Sequence, residues 1–443
     1  MKNEINCWVD EHREELLVFL KEIIDTPSVN NFFAVNDDEK KSEEYHEKNC
    51  QKVVYKKLSE LGFSVDMWEP DVNALSKYKN RAGYHPERDY RDRPSLCGVL
   101  KGTDPTKGKS LMLLGHIDTV IEGSGWTKKA FDASVEDGIM YGRGSVDQKG
   151  GIAAMISAVE VLNRLGYKIN GDVLVSTFCD EEAGGMGIMS VMDKGYRADA
   201  AIMTEPTNLL MAPMCRGILW GKLTVEGRSG HIEMYQGDFR TGGAVDAIDK
   251  AMLYIDAFRR LNDDWRITRT HPLLPNPCQI FVAQFNAGEF PTSFANKAEI
   301  IFNAQYRPCD RDENLLGGKV KQEILDLINN VAMTDPWLKD HVPGVEWLMD
   351  ADCAETSADH EFVKCMSNAA AEAGFTGEVG GLGFHTDMGW PTNSGIPVIN
   401  YGPGRPEVSH RSDEGLPVED YFTSIKVMAS TIVDWCGIRR DEQ

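Results

Sequence analysis

A histidine and an aspartate follow an apolar segment near residue 111, and both side-chain types are suited to metal chemistry. The apolar residues 111–114 lead to His116, and Asp118 stands two positions further on. In an extended chain, residues i and i+2 point the same way, so the Asp118 carboxylate can approach the His116 imidazole. A carboxylate behind a ligating imidazole fixes its tautomer and raises its basicity. The alternative interpretation is a surface histidine near a strand end.

A second candidate ligand, Asp147, lies in the glycine-rich segment Tyr141-Gly-Arg-Gly-Ser-Val-Asp147-Gln-Lys-Gly-Gly151. The glycines permit a tight loop whose backbone comes close to a site. An aspartate just before a helix is also a common N-terminal cap, so helix capping is the alternative interpretation.

Three consecutive carboxylates, Asp180, Glu181 and Glu182, directly follow the apolar residues 173–179. On a surface such a run is usually solvated charge. At the carboxyl end of a buried strand it is costly unless cations compensate. Adjacent glutamates could then divide the work, one binding metal and the other handling a proton. Cys179 has no evident base partner, so we interpret it as a core residue rather than a nucleophile.

Two further candidate ligands also follow strand patterns. Glu205 comes after the apolar residues 200–203, and His410 lies beyond the glycine-rich turn 400–404. Together the segments supply two imidazoles and at least three carboxylates at comparable strand ends. Histidine and carboxylate ligands without thiolates suit a hydrolytic Zn²⁺ site, and a shared carboxylate suits two metal ions.

Two rival interpretations come from other classes of protein. A metal-binding scaffold without catalysis would have no use for the additional base Glu181 beside Glu182. A carboxylate-rich Ca²⁺ module would show EF-hand spacing, which is absent from the sequence, and two histidines are poor ligands for a hard cation.

The elements that must position these residues form an α/β pattern in the first and last parts of the chain. The spacing predicts helices at about 10–25, 43–61 and 151–165, and another that ends near 373. Short apolar strands are predicted at 63–67, 111–114, 173–179, 200–203 and 398–401, and residues 70–95 as an irregular excursion.

The middle of the chain has a different pattern. Strands are predicted at 219–225, 278–285, 298–306 and 345–349, and helices at 243–261 and 311–331. The order strand–helix–strand–strand–helix–strand is typical of a ferredoxin-like α+β domain. We therefore expect an α/β catalytic domain with a mixed sheet, formed by residues 1–213 and 354–443 and interrupted by an inserted domain over 214–353.

Composition excludes several classes of partner. The 443 residues carry 47 Lys and Arg against 69 Asp and Glu, a net charge of −22, which makes nucleic acid and anionic membranes poor partners. We expect no membrane span and no signal peptide. The 10 cysteines are scattered without a C-x-x-C pair, which favours reduced thiols and a cytoplasmic protein.

The motifs together resemble the M20 family of metallopeptidases and amidohydrolases, over nearly the whole chain. The family includes acetylornithine deacetylase, succinyl-diaminopimelate desuccinylase, aminoacylase and glutamate carboxypeptidase. The resemblance rests on five motifs: Gly-His116-x-Asp118, Gly-Arg-Gly-x-x-Asp147-x-Lys-Gly-Gly, Asp-Glu181-Glu182-x-Gly-Gly, Glu205-Pro-Thr, and Gly-Pro-Gly with His410.

The resemblance implies a site with two zinc ions per chain, for which Co²⁺ or Mn²⁺ could substitute. One ion would be held by His116, Asp147 and Glu205, and the other by Asp147, Glu182 and His410. Asp147 would bridge the two ions. Glu181 would be the general base and then the acid, and Asp118 would support His116.

The resemblance also implies roles for residues outside these motifs. His231, in the inserted lid and dimerisation domain, would reach across a homodimer and stabilise the oxyanion in the partner's site. Arg307 resembles an arginine that binds a substrate carboxylate; because Pro308 follows it, a surface ion pair is an equal alternative. Gly402 and Gly404 would line the substrate pocket.

The sequence therefore predicts a metal-dependent amidohydrolase. It would cleave the amide bond of an N-acyl amino acid or related N-acyl amine through a metal-bound hydroxide. Residues 70–95 and the segment at 242–245 are most similar to the deacetylase and desuccinylase branch. A dipeptidase or carboxypeptidase that uses the same site is the alternative.

Overall fold

The computed structural model describes residues 1–34, 36, 42 and 45–440, which form two compact units. The first unit comprises Met1–Met214, Glu355–Gly381 and Thr386–Gln443. The second comprises Cys215–Ala354 and Leu382–His385. The first unit is thus assembled from both ends of the chain.

The first segment of the chain alternates helices with strands. Its helices are α1 (Lys2–Glu11), α2 (Arg13–Asp25), α3 (Lys48–Glu60), α4 (Lys149–Arg164) and α5 (Gly187–Asp193). Its strands are β1 (Ser64–Trp68), β2 (Ser95–Leu100), β3 (Leu111–His116), β4 (Ser134–Glu136), β5 (Ile139–Tyr141), β6 (Tyr167–Ile169), β7 (Val173–Phe178), β8 (Ala200–Met203) and β9 (Met211–Met214).

The second unit has the predicted strand–helix–strand–strand–helix–strand order. Its elements are β10 (Gly217–Glu226), α6 (Ala247–Thr268), β11 (Ile280–Ala287), β12 (Lys297–Tyr306), α7 (Gly318–Thr334) and β13 (Val345–Ala351). The four strands form an antiparallel sheet in the order β11-β12-β10-β13. Strands β10 and β12 alternate buried and more exposed residues, because one face of the sheet packs on the helices. This confirms the ferredoxin-like prediction.

The last segment returns to the first unit. It contains α8 (Glu361–Glu372), β14 (Val379–Gly381), α9 (Gly389–Asn393), β15 (Val398–Asn400), β16 (Gly415–Pro417), α10 (Val418–Cys436) and β17 (Ile438–Arg440). Helix α10 packs against α4, and the two contribute many of the buried apolar side chains of the main core.

An eight-stranded mixed sheet forms the centre of the first unit, as predicted. Its order is β1-β2-β7-β3-β8-β15-β9-β14. Strands β7, β3, β8 and β15 are mutually parallel, and their residues are all buried. Burial on both faces explains why these strands are continuous apolar runs rather than alternating patterns. Parallel neighbours also bring four carboxyl ends to one edge of the sheet.

Several predicted elements differ in their limits. The helix expected at 10–25 is two helices that meet at His12, and the one expected at 43–61 is α3, with residues 43 and 44 outside the described part. Helix α6 starts at Ala247 because the Asp246 side chain caps it by accepting the Ile248 N–H. Helix α7 starts at Gly318 rather than 311, because Asp312 accepts backbone N–H groups in a turn before it.

Several elements of the first unit, among them β2 and α10, were not predicted, whereas the short loop helix Ala74–Tyr78 falls within the predicted excursion. No helix in the described part of the chain combines the length and apolar character that crossing a membrane requires.

Candidate metal centre

The candidate ligands follow the carboxyl ends of the four parallel strands. His116 is the last residue of β3, Glu182 follows β7, and Glu205 follows β8. His410 comes after β15 and a short helical turn at Pro406–Val408. Open α/β sheets place their sites at this edge, because loops from adjacent strands meet there.

His116 is fully buried and held by the residues that follow it. Its Nδ1 lies 3.0 Å from the Asp118 carbonyl oxygen and 3.5 Å from the Asp118 Oδ1. The Asp118 carboxylate accepts hydrogen bonds from the backbone N–H groups of Glu181 and Glu182, at 3.2 and 3.1 Å. Asp118 therefore supports the imidazole and the two-glutamate loop together. The imidazole Nε2 is left to face Asp147.

Asp147 is presented by the loop between β5 and α4, and this loop is fixed by a buried ion pair. Glu414 accepts hydrogen bonds from the backbone N–H groups of Gly144, Val146 and Asp147, at 2.8 to 3.1 Å. Its Oε2 also lies 2.7 Å from the Arg143 Nη1. A carboxylate that satisfies three buried backbone donors and one guanidinium holds the loop in one conformation.

The structure brings the five predicted ligands into two groups that share Asp147. His116, Asp147 and Glu205 form one group, and Asp147, Glu182 and His410 the other, with the potential ligand atoms of each group within 4.8 Å of one another. The Asp147 Oδ1 lies 3.0 Å from the His116 Nε2, and its Oδ2 lies 3.3 Å from the His410 Nε2. Each carboxylate oxygen of Asp147 thus faces a different group.

Burial without full hydrogen bonding marks the glutamates of the site. The Oε1 atoms of Glu182 and Glu205 are buried and have no hydrogen-bond partner. Burial and the neighbouring Asp147 carboxylate raise the pKa of Glu182 to about 7 and that of Glu205 to about 8. Hydrogen bonds with Asp147 and Glu182 raise the pKa of His410 to about 10. The site therefore concentrates negative charge that cations would compensate.

Glu181 lies beside the first group. Its Oε2 is 3.8 Å from the His116 Nε2. Burial raises the pKa of Glu181 well above its usual value, and the nearby carboxylates of Glu205, Asp387 and Glu182 add to this effect. Such a carboxyl group is suited to accepting a proton and releasing it again.

The donor set fits a pair of metal ions. Imidazole and carboxylate ligands without thiolates suit Zn²⁺ and similar divalent ions. Buried polar atoms normally have hydrogen-bond partners, but the Oε1 atoms of Glu182 and Glu205 have none. A bound cation would supply the missing partner for both oxygens. The shared carboxylate matches a two-metal arrangement.

The two predicted pocket glycines lie next to the site. A Cβ atom on Gly402 would come within 2.6 Å of the carbonyl oxygens of Thr204 and Glu205, so only glycine fits there. Gly404 has a φ of +86°, which also favours glycine. Both shape the turn after β15 that leads to His410.

The other two predicted site residues belong to the second unit. His231 is exposed, and its Nδ1 accepts the backbone N–H of Glu233 at 3.3 Å. Arg307 makes a two-point ion pair with Asp310, at 3.0 and 3.1 Å, and donates to the Thr270 carbonyl oxygen at 2.8 Å. The ion-pairing alternative for Arg307 is thus present in the structure, and a substrate contact remains a prediction.

Sequence patterns did not assign roles to the residues that support the site. These are Glu414 and Arg143 at the Asp147 loop, and Asn30, Arg88, Tyr90, Arg93 and Asp180 at the two-glutamate loop. The signals in the sequence were Arg143 within the Gly-Arg-Gly motif, the carboxylate run at 180–182 and Glu414 near His410, and none of them indicates a partner.

Comparisons with known proteins bear on this geometry. The sequence profile of Peptidase family M20/M25/M40 matches residues 112–434. An N-formyl-4-amino-5-aminomethyl-2-methylpyrimidine deformylase from Halalkalibacterium halodurans is 27% identical, with 99% of this chain and 98% of that protein covered. An acetylornithine deacetylase from Myxococcus xanthus is 26% identical, with 86% and 97% covered.

Solved structures share the fold. The aminopeptidase PepT from Bacillus cereus has a TM-score of 0.69 at 18% identity, covering 95% of this chain and 98% of that one. A dinuclear metal-binding peptidase of the M20 family from Bacillus subtilis has a TM-score of 0.63 at 13% identity, covering 96% and 98%.

The mixed sheet, the ferredoxin-like second unit and the clustered ligands define a metal-dependent amidohydrolase. The chain belongs to Peptidase family M20/M25/M40. The predicted family resemblance is confirmed.

Proposed function

We propose that this enzyme binds two Zn²⁺ ions per chain and hydrolyses the amide bond of a small N-acyl amine, with Co²⁺ or Mn²⁺ able to replace zinc. The observation that carries the proposal is the pair of ligand groups that share Asp147, with Glu181 beside them. His116, Asp147 and Glu205 would hold one ion, and Asp147, Glu182 and His410 the other. When bound, the ions would polarise the scissile carbonyl and lower the pKa of water.

The proton transfers belong to Glu181. Its carboxylate accepts a proton from the attacking water as the new C–O bond forms. It then delivers that proton to the amine nitrogen as the C–N bond breaks, which yields a carboxylic acid and a free amine. A raised pKa suits both steps, because the group must bind the proton and then give it up.

The remaining residues hold or orient the reacting groups. Asp118 fixes the His116 imidazole so that its Nε2 faces the ions. His231 of the partner protomer donates a hydrogen bond to the carbonyl oxygen as negative charge develops there. Gly402 and Gly404 leave room for the substrate beside Glu205. Arg307 remains a candidate for a substrate carboxylate, which would have to compete with Asp310.

The substrate class follows from the chemistry of the relatives. Two similar proteins over almost the full chain are named as deformylases of an aminomethylpyrimidine, and another as an acetylornithine deacetylase. All three names describe removal of a small acyl group from an amine. We therefore propose an N-acyl amino acid or related N-acyl amine, and N-formyl amines are the first compounds to test.

A dipeptidase or carboxypeptidase is the second candidate. It is favoured by the fold, since solved structures with TM-scores of 0.69 and 0.63 are named as peptidases. The same Glu181 and ligand groups would serve either reaction, and the groups around the acyl and amine parts of the substrate would differ.

We further propose a cytoplasmic homodimer. All ten cysteines lie in the described part of the chain and are free thiols, which suits a reducing compartment. Strand β11 is an edge of its sheet, with Phe281 and Phe285 50% and 39% exposed. An exposed apolar edge strand is a pairing surface for a second copy.

The test combines metal analysis with a substrate screen. Protein stripped with a chelator and reconstituted should bind about two divalent ions per chain and be inactive when stripped. Reconstituted protein should hydrolyse members of a panel of N-formyl, N-acetyl and N-succinyl amines faster than dipeptides. The absence of bound transition metal after reconstitution would contradict the two-metal site, and preferential cleavage of dipeptides would favour the second candidate.

A further inference from the structure

The chain between β1 and β2 is anchored on the loop that carries the two glutamates. Leu75 and Tyr90 from this segment share a buried apolar cluster with Cys179, Met186 and Met189, which flank the glutamates. The sequence predicts this segment as an irregular excursion, but in the structure it has a defined packing partner. The partner is the loop after β7.

Asp180 is the point at which the polar contacts of this segment converge. The carboxylate is fully buried, and its backbone has a φ of +68°, which is uncommon for a residue other than glycine. It lies 2.8 Å from the Arg88 Nη1 and 2.9 Å from the Arg93 Nη2, and it accepts the Tyr90 hydroxyl at 2.6 Å. Burying a carboxylate this completely is costly unless such partners surround it.

The same segment also holds the rest of the loop. Arg88 donates a second hydrogen bond to the Ala183 carbonyl oxygen at 2.8 Å, and the His85 Nε2 lies 3.1 Å from the Gly184 carbonyl oxygen. The Gly185 N–H returns to the Asp180 carbonyl oxygen at 2.7 Å. A Cβ atom on Gly185 would lie 1.6 Å from the Asp180 Oδ2, so the loop closes tightly around this carboxylate.

Asn30 connects Asp180 to the residues at the candidate metal centre. Its side-chain amide donates to the Asp118 Oδ2 at 2.8 Å and to the Asp180 Oδ1 at 3.0 Å. Asp118 in turn accepts the backbone N–H groups of Glu181 and Glu182 and supports His116. A continuous hydrogen-bonded path thus runs from Arg88 and Tyr90 to the two glutamates.

We propose that Asp180, clamped by Arg88, Tyr90 and Arg93, is the positioning residue that sets the conformation of Glu181 and Glu182. The segment between β1 and β2 is thereby part of the catalytic apparatus. The inference rests on the proposed function, because it assumes that Glu181 transfers the proton and Glu182 binds metal. The clamp residues would act through the backbone of the two-glutamate loop.

The test uses variants that weaken the clamp without removing a proposed ligand. Asp180→Asn removes the charge, Arg88→Met removes two donors while Arg93 stays, and Tyr90→Phe removes one hydroxyl. We expect kcat to fall about 10- to 100-fold in Asp180→Asn and Arg88→Met, with a smaller loss in Tyr90→Phe. KM should stay within about twofold, since the lost interaction acts on the transition state. Arg88→Lys should recover part of the loss.

A second readout does not depend on turnover. Zinc affinity of the stripped protein, measured by competition with a chelating dye, should weaken by about 10-fold in Asp180→Asn and Arg88→Met. The zinc-affinity measurement distinguishes a failure of the proposed function from a failure of the positioning role of Asp180. If wild-type protein binds zinc but hydrolyses none of the panel, the proposed function fails, while a change in zinc affinity in the variants still supports the clamp.

Tyr78→Phe is the matched control. Tyr78 lies in the same segment and donates its hydroxyl to Asp193 at 2.8 Å, away from the glutamates. Tyr78→Phe removes a hydroxyl from the same apolar cluster as Tyr90→Phe does. Tyr78→Phe should therefore change the unfolding temperature as Tyr90→Phe does, but leave kcat and zinc affinity unchanged. If Arg88→Met and Tyr90→Phe lower only the unfolding temperature, as the control does, Asp180 stabilises the fold alone and the proposal is wrong. That comparison holds even if Asp180→Asn does not fold.

Discussion

At the scale of single residues, the site depends on two neighbouring glutamates with different surroundings. Glu182 lies 3.0 Å from the His410 Nε2, whereas Glu181 lies 3.8 Å from the His116 Nε2 and belongs to neither group that shares Asp147. Because the two carboxylates are adjacent in sequence, their different surroundings depend on the backbone conformation of the loop that carries them. Their proposed separate roles therefore require a fixed backbone.

Glu181→Gln separates metal binding from catalysis. The amide keeps the size of the side chain but cannot accept the proton from water, so turnover should fall by at least about 10²–10⁴-fold. Metal content should stay normal, because Glu181 is outside the shared-aspartate groups. Both quantities are measured on the same preparation, by elemental analysis and by steady-state kinetics. Turnover close to the wild-type value would mean that another residue is the base.

The ligand types could be predicted from the sequence, whereas their supports could not. His116, Asp147 and Glu205 follow apolar strands or a glycine-rich loop, and parallel strands bring such residues to one edge. In the sequence, Asp180 cannot be distinguished from Glu181 and Glu182, because all three belong to one run of carboxylates. Its partners Arg88 and Arg93 lie about ninety residues earlier, and a sequence pattern does not indicate pairing over that distance.

At the scale of elements, the loop between β5 and α4 shows how a buried ion pair can fix a functional residue. Glu414 is 1% exposed and accepts from Arg143 and from three backbone N–H groups of this loop. It precedes β16, which pairs with β5, so the two ends of the contact are also joined by a sheet. The loop is held on both sides.

Glu414→Gln should therefore be strongly destabilising. The glutamine NH₂ group would face the backbone N–H groups that Glu414 now accepts, and Arg143 would stay buried without its counter-ion. Removing one partner of a buried ion pair costs about 3–5 kcal/mol. Glu419→Gln is the control, since Glu419 pairs with Arg13 and its side chain is 70% exposed. That change should cost about 1 kcal/mol or less. Urea unfolding of the metal-free proteins gives the free energy of unfolding of each variant. Equal losses of this free energy in the two variants would contradict the proposed role of Glu414 in fixing the loop.

Several elements with a strong apolar pattern were predicted, although α10 was not, and several elements with mixed patterns were missed. Strand β8 has its predicted limits, 200–203, because four buried apolar residues stand between polar ones. Strand β2 follows Arg93 and Pro94 at the end of an irregular segment, and it contains Ser, Cys and Gly. Its pairing with β1 and β7 makes it a strand, which is a tertiary effect.

At the scale of the whole molecule, the proposed oxyanion role of His231 has to be reconciled with its place in the inserted unit. His231 is exposed and belongs to the second unit, whereas every proposed ligand belongs to the first. In a homodimer the partner's second unit could present this histidine directly. We therefore expect the assembly to be part of the mechanism.

Mixing two inactive variants tests this expectation. His231→Ala alone should lower turnover about 10²–10³-fold with normal metal content, as the loss of an oxyanion donor does. After subunit exchange with Glu181→Gln, a mixed dimer would have one site that lacks both groups and one that has both intact. Activity should then reappear in the mixture. If His231 acts within its own chain, every site stays defective and no activity returns, and a fully active monomer would also contradict the proposal.

The position of β15 has a consequence for the synthesis of the protein. This strand lies between β8 and β9, which are consecutive in the sequence, yet it is the last of the eight strands to be translated, because the whole inserted unit comes before it. At about 5–20 residues per second, the gap between β8 and β15 lasts on the order of ten to forty seconds. During that time the nascent chain holds an unfilled slot beside β8, lacks His410, and has no α10 to cover α4. The first part, about the amino-terminal half of the chain, should therefore need chaperone protection during this time, and the ligand group that contains His410 can be completed only after translation has nearly ended.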